Sequence, residues 1–99
     1  MPAVARKGDG LATGHGCSGT TTIANPLTTS VYCNNILAAV KGAVSAVHAV
    51  PGGTSCVPHT STVSGGSGTV FFENKPAARI GDAYEAGAVI GGSPNVFAG

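Results

Sequence analysis

Three histidines and one cysteine carry most of the chemical potential of this chain: His15, His48, Cys56 and His59. Cys56-Val57-Pro58-His59 is a Cys-x2-His clip flanked by turn formers. Zinc in a closed structural site takes four Cys or His ligands in a tetrahedron, and such short chelate spacings are typical of it. His15 follows Asp9 by six residues and His48 follows Gly42 by six, so with one residue of slippage they hold equivalent places in two repeated segments. The third such segment has Gly87 or Ala88 in that region and supplies no ligand. Three His plus Cys56 complete a set of four. Cys17 lies two residues from His15 and could take the place of Cys56 if both face one way on a strand. Cys33 is assigned to packing. The plain alternative for each residue is a solvated His in a loop or a Cys acting as a small buried hydrophobe. Against it stands the fact that every His lies beside a repeat boundary or a Cys.

The elements that must position these residues are repeats. Asn74-Lys75-Pro76-Ala77-Ala78-Arg79-Ile80-Gly81-Asp82 has two degraded echoes. Aligning Val70-Phe71-Phe72 on Val31-Tyr32-Cys33 brings Asn35 under Asn74, Ala38-Ala39 under Ala77-Ala78, and Gly42 under Gly81. Ala5-Arg6-Lys7-Gly8-Asp9 carries the same ending, and Ser93-Pro94-Asn95-Val96-Phe97 repeats the lead-in Ser67-Gly68-Thr69-Val70-Phe71. The third copy is thus split between the two ends of the chain. Units that cannot bury a face alone pack on one another, and a divided copy points to a closed body with approximate threefold symmetry, a single domain over 1–99.

Composition narrows the class. At 99 residues, with 16 Gly, no Trp and 5% aromatics, the core is thin, and a chain of this size often needs a metal, a disulfide or a partner. Charged residues make up only 9% and the formal net charge is +1, so there is no basic stripe for nucleic acid. So few charges also leave an apolar surface, which calls for a partner. Met1 to Lys7 has no long apolar run and is not read as a signal peptide. The apolar stretch 36–50 is interrupted by Lys41, Gly42, Ser45 and His48 and falls short of the roughly 20 residues that span a bilayer. The chain is therefore expected to be made in the cytoplasm, where three Cys favour free thiols or metal ligands over a disulfide framework.

Short strands separated by Gly- and Ser-rich turns predict an all-β fold. Val70-Phe71-Phe72 and Pro76 to Ile80 form a hairpin around Glu73-Asn74-Lys75, with Asn suited to left-handed geometry; Val31 to Ala38 is its counterpart around Asn34-Asn35. Gly8, Gly42 and Gly81 close each copy where the backbone turns, and Gly52-Gly53, Gly65-Gly66 and Gly91-Gly92 mark further turns. Leu37, Val40, Val44 and Val47 also fit a helical spacing. Strand is preferred because the aligned residues include Pro76 and Gly81, with room for a short helical turn after Gly42.

Pro76-Ala77-Ala78-Arg79 resembles the signature of the PAAR-repeat family. Arg6-Lys7-Gly8-Asp9, Gly14-His15-Gly16 and the ending Gly91 to Phe97 extend the likeness along nearly the whole chain. The middle copy departs from the pattern, with Leu37-Ala38-Ala39-Val40 in place of the tetrapeptide and Ala43 in place of the Asp. A longer, irregular stretch lies between Ser18 and Ser30. The resemblance implies a small β-rich cone of pseudo-threefold symmetry. It implies a zinc ion near the apex, held by His15, His48, His59 and Cys56. It further implies a seat, one copy per trimer, on a trimeric β-helical spike (valine-glycine repeat protein G or its phage tail counterpart) of a type VI secretion system or contractile phage tail. On that reading the tip is delivered outside the cell or into a target cell, touching its membrane, possible secreted effectors dock separately, and no toxin domain is attached.

The wide end is expected to present the strands around Val31-Tyr32, Val70-Phe71 and Val96-Phe97, whose apolar side chains and strand edges suit a threefold platform. Two other classes compete. One is a zinc hydrolase with Glu85 or Asp82 activating water, which would need an open coordination position and a pocket. The other is a metal-free structural virion protein.

Overall fold

Two pairs of residues in left-handed conformation set the hairpins. Asn34 and Asn35 have φ of 58° and 64°, and Glu73 and Asn74 have φ of 51° and 66°; consecutive positive φ values are what a two-residue hairpin turn requires. In this computed structural model, which describes residues 1–99, the first pair joins β2 (Thr20–Cys33) to β3 (Ile36–Ser45), and the second joins β6 (Phe71–Phe72) to β7 (Lys75–Pro76). The remaining strands are β1 (Gly10–Ala12), β4 (His48–Gly52), β5 (Ser55–His59), β8 (Ala83–Tyr84) and β9 (Gly87–Val89). A five-stranded antiparallel sheet runs β3-β2-β1-β9-β8, while β4–β5 and β6–β7 stand as separate hairpins. The fold is all-β, as the sequence predicts, and it contains no helix. The helical turn anticipated after Gly42 does not form. The strand continues to Ser45 because Val44 pairs with Asn25 on one side and Thr62 on the other.

The three repeats meet around one axis through a closed ring of backbone hydrogen bonds. Ala5 N–H donates to Ala78 C=O at 2.9 Å, Ala78 N–H to Ala39 C=O at 3.0 Å, and Ala39 N–H to Ala5 C=O at 2.9 Å. All three alanines have no exposed surface. Around this ring the pairings Val4↔Arg79, Arg6↔Ala38 and Val40↔Ala77 repeat one relation three times. So do Ala3↔Phe97, Tyr32↔Leu37 and Phe71↔Pro76, the first of which joins the two chain ends.

Each copy then turns at a glycine. Gly8, Gly42 and Gly81 have φ of 88°, 96° and 94°, a region where a Cβ is strained. Asp9 N–H donates to Arg6 C=O and Asp82 N–H to Arg79 C=O, both at 3.0 Å, so glycine holds the third position of a type II turn. Two copies lock this turn with a forked ion pair. Arg79 Nε and Nη2 reach the two oxygens of Asp82 at 3.1 and 2.8 Å, and Arg6 meets Asp9 at 2.9 and 3.1 Å. The middle copy replaces the pair with Val40 and Ala43, both fully buried. The Gly91 pair does not form the expected turn. A Cβ there would lie 2.7 Å from the Gly10 nitrogen, so the glycine permits close backbone packing instead.

The buried residues form two small cores, and the upper one includes the alanine ring. The upper one contains Ala5, Leu11, Ile23, Ala39, Ala43, Val63, Ala78, Tyr84 and Val89. The lower one contains Val4, Cys33, Ala38, Ala77 and Ala98, with Val31, Val70, Phe72 and Val96 packed against it. Below them Tyr32, Phe71 and Phe97 stay 59%, 54% and 48% exposed, one from each copy. The body measures 42 × 23 × 22 Å, long along one direction and nearly equal across the other two.

Because the three alanines are fully buried in one core cluster and bonded to one another through the backbone, enlarging any one is expected to strain the ring. Ala39→Val is expected to destabilise by about 1–3 kcal/mol through overpacking, lowering the melting temperature by roughly 4–8 °C per kcal/mol for a domain this small. Thr54→Ala, at the exposed β4–β5 tip, is expected to leave it unchanged. Calorimetry on both variants makes the comparison, and equal melting temperatures would refute the ring as a packing constraint.

Candidate metal centre

Four side chains from separate parts of the chain converge beyond the upper core: His15, His48, His59 and Glu85, whose ligand atoms all lie within 4.8 Å of one another. His15 sits in the β1–β2 loop. That loop descends onto the β8–β9 turn because Gly14 has no side chain; a Cβ there would lie 2.4 Å from the Ala86 backbone carbon. Ala86 N–H donates to Thr13 C=O at 3.1 Å, which fixes the approach. His48 opens β4 and His59 closes β5, directly opposite each other in the ladder. Directly opposed side chains lie about 4.5–5.5 Å apart at Cβ, so one ladder position delivers two imidazoles. Glu85 lies in the tight β8–β9 turn with φ of 49°.

The hydrogen bonds decide which nitrogen each ring offers. His15 Nδ1 lies 2.9 Å from Gly16 C=O and His48 Nδ1 lies 3.0 Å from Ala46 C=O. A carbonyl only accepts, so Nδ1 carries the proton in both rings and Nε2 of the neutral form presents a lone pair. Those Nε2 atoms nevertheless point at acceptors. Glu85 Oε2 is 2.8 Å from His48 Nε2 and 3.2 Å from His15 Nε2, and Glu85 Oε1 is 2.9 Å from His59 Nε2. His48 and His59 bring their Nε2 atoms to 2.8 Å of each other. The His59 ring can donate from Nε2 to His48, but the His15 and His48 lone pairs facing the Glu85 oxygens repel them unless positive charge lies among them, either extra protons or a metal ion. Three imidazole nitrogens and one carboxylate are an N3O donor set that zinc accepts, and the backbone carbonyls on Nδ1 supply the orienting bonds usual for metal-bound His. The residues therefore fit a metal.

Electrostatics agree. Burial alone would raise the Glu85 carboxyl, but the imidazoles of His48 and His15, which donate to it when doubly protonated, and the charge of His59 outweigh it and hold it below its ordinary range. The Gly16 carbonyl, with a smaller contribution from Glu85, raises the His15 imidazole against the opposing effect of burial. Tyr84, beneath His48, is pushed up to about 12, chiefly by burial.

Cys56 does not join the group. It is bonded to Cys17, with an S–S distance of 2.02 Å, which corrects both its assignment as a ligand and the expectation of free thiols. The reason is the strand. Cys56 and His59 are three apart on β5, and successive side chains on a strand alternate faces, so an odd separation turns them apart. Cys-x2-His chelates only where the chain curls. The linkage also removes Cys17 as the alternative ligand, while Cys33 remains a buried thiol in the lower core. The fourth donor in the group is Glu85, which the sequence reading entertained only as a catalytic acid. Only the structure isolates it. The chain has four acids: Asp9 and Asp82 are committed to arginines, and Glu73 accepts the amides of Thr29 and Ser30 at 3.0 and 3.1 Å.

A family model for the PAAR motif matches residues 13–92. Comparison with individually characterised proteins gives no match.

The two shifted groups set opposite pH limits for the metal-free protein. A depressed Glu85 contributes stability that is present above its ordinary value of 4.5 and lost as pH falls through its lower folded value. A raised His15 contributes stability that is complete below its ordinary 6.5 and lost as pH rises through its higher folded value. The chelated protein is thus expected to melt highest in mildly acidic buffer, and Glu85→Gln to flatten the profile. Metal binding needs neutral His and should strengthen as pH rises. A pH series of melting curves with and without zinc tests this, and parallel profiles would refute it.

Proposed function

Because the chain belongs to the PAAR-motif family, we propose that it is a metal-tied tip that seats its wide end on a trimeric β-helical spike and sharpens it. The spike is that of a contractile injection machine, a type VI secretion system or a phage tail. The observation that carries this reading is the threefold relation itself. One chain offers Tyr32, Phe71 and Phe97 at equivalent positions around one axis, so a single copy can match all three subunits of a symmetric platform. A polar clasp lies beside each aromatic. Glu73 accepts from Thr29 and Ser30, Asn34 from Ser93, and Gly99 C=O from Ser67 and Thr69. These bonds pin the lead-in strands that would carry the contact. Val31, Val70 and Val96 back the aromatics from inside.

At the other end the need is cohesion. The narrow end has few apolar residues, and a structural zinc contributes roughly 10–16 kcal/mol in small metal-folded units, against about 5–15 kcal/mol for the net stability of a domain. Held by His15, His48, His59 and Glu85, zinc would join the β1–β2 loop, the β4–β5 hairpin and the β8–β9 turn into one unit. The hydrolase reading is weaker because both Glu85 oxygens already face imidazoles, leaving none to activate water. A metal-free virion role needs extra protons on His15 and His48 to satisfy the Glu85 oxygens they face, whereas one metal ion satisfies all four groups at once.

Elemental analysis is expected to give one zinc per chain, lost in His48→Ala and in Glu85→Ala. Undiminished zinc in both variants would remove these residues from the site. Native mass spectrometry with a trimeric β-helical spike is expected to show one copy per trimer. Binding should be nearly independent of salt, given so few charges, and pairwise Asp substitution among Tyr32, Phe71 and Phe97 should weaken it at least tenfold. Three copies per trimer would overturn the symmetry argument.

A further inference from the structure

We propose that the Cys17–Cys56 disulfide is a redox staple that holds the His15 loop against the β4–β5 hairpin, so that the chain retains its metal tightly only when oxidised. The inference rests on reading His15, His48, His59 and Glu85 as a metal site. Cys17 lies in the β1–β2 loop two residues after His15, and Cys56 lies on β5 three residues before His59. Their bond, with a Cα–Cα distance of 5.9 Å, links the two segments that carry all three imidazoles.

Gly14 rests on Ala86, but residues 14–17 make no backbone–backbone hydrogen bond of their own. Ser18 is anchored on both sides, its N–H donating to Ala49 C=O and its Oγ accepting from Ala49 N–H, each at 3.1 Å. His15 N–H has only a 3.3 Å contact with Thr13 Oγ1. Cys17 itself has φ of 69°, a left-handed conformation that a residue other than glycine keeps only under external constraint. Cutting the bond frees Cys17 to relax and His15 to leave the site. Apparent metal affinity then falls by the fraction of molecules that remain competent.

Both half-cystines are exposed, whereas Cys33 is buried, so dissolved thiols and disulfides reach this bond and spare the third cysteine. Formation balances as thiol–disulfide exchange with a low-molecular-weight disulfide such as oxidised glutathione. One cysteine thiolate attacks a glutathione sulfur and expels the other as thiolate. The second cysteine thiolate then attacks the protein sulfur of the mixed disulfide and expels the second glutathione. The two protons lost by the cysteines end on the two released thiols. Two protein thiols are oxidised and one small disulfide is reduced.

The test loads the full chain with zinc and follows transfer to a chromogenic chelator in reductant-free buffer. It compares oxidised wild type with Cys17→Ser, Cys56→Ser and the double variant. All three variants are expected to release zinc about tenfold faster or more, and equally, as a lost fraction of competent molecules requires. In a His15→Ala background the same substitutions are expected to change nothing further. Release at the wild-type rate would overturn the staple. So would an effect confined to Cys56→Ser with tighter binding in Cys17→Ser, because that pattern marks a thiolate ligand. If wild type binds no zinc, the metal reading fails on its own. The staple is then judged on metal-free protein, where the Ser variants should melt lower and show a more mobile His15 ring by NMR; unchanged melting and ring mobility would refute it.

Discussion

Everything in this molecule is arranged around three alanines that donate hydrogen bonds to one another in a circle. Ala5, Ala39 and Ala78 each give an N–H to the next and take one from the last, so no backbone group at the centre is left unpaired, as burial demands. The ring favours a small side chain, since its three residues have no exposed surface and share one core cluster. It also dictates the chain path. Each copy must arrive as an extended strand, contribute one residue, and leave through a turn, and it is Gly8, Gly42 and Gly81 that supply the positive φ for leaving.

Symmetry constrains geometry more tightly than chemistry. The turn after the ring is held by a forked Arg–Asp pair in two copies and by buried Val40 and Ala43 in the third. An ion pair exchanged as a whole for an apolar pair of suitable shape is often neutral, whereas losing one partner strands a charge; the middle copy has changed both residues. The clasp at the wide end follows the same logic, with Glu73, Asn34 and the Gly99 carbonyl accepting at equivalent positions. Three different acceptors serve because the position requires only a lone pair. For Glu73, bonds from the Thr29 and Ser30 amides hold its carboxyl below the ordinary range.

Beyond the upper core, apolar burial runs out. The β4–β5 hairpin is exposed along most of its length, so packing alone does not fix its relation to the β1–β2 loop. Two cross-links act there instead. One is covalent, between Cys17 and Cys56. The other is the cluster of three imidazoles about Glu85, a donor set that could hold a metal ion. Threefold symmetry is abandoned at this end, since one hairpin contributes two histidines and another turn contributes the carboxylate.

The amino-acid sequence by itself determined the repeat, the all-β class and the turns, because these depend on local conformational preference. Asn34-Asn35, Asn74 and the three glycines leave the backbone few options, and alignment of the copies shows which residues must share an environment. It also identified the three histidines as a group, through their places relative to those boundaries. What only the tertiary structure decided was which partners complete each group. Whether Cys56 faces His59 depends on whether residues 55–59 curl or extend, and they extend as β5 because β4 lies beside them to form the ladder. The arrival of Glu85 among the imidazoles depends on Gly14 letting the β1–β2 loop settle on the β8–β9 turn, and the pairing of Cys17 with Cys56 joins that loop to β5. Such contacts join residues far apart in the chain, where spacing along the sequence carries no information about distance in space.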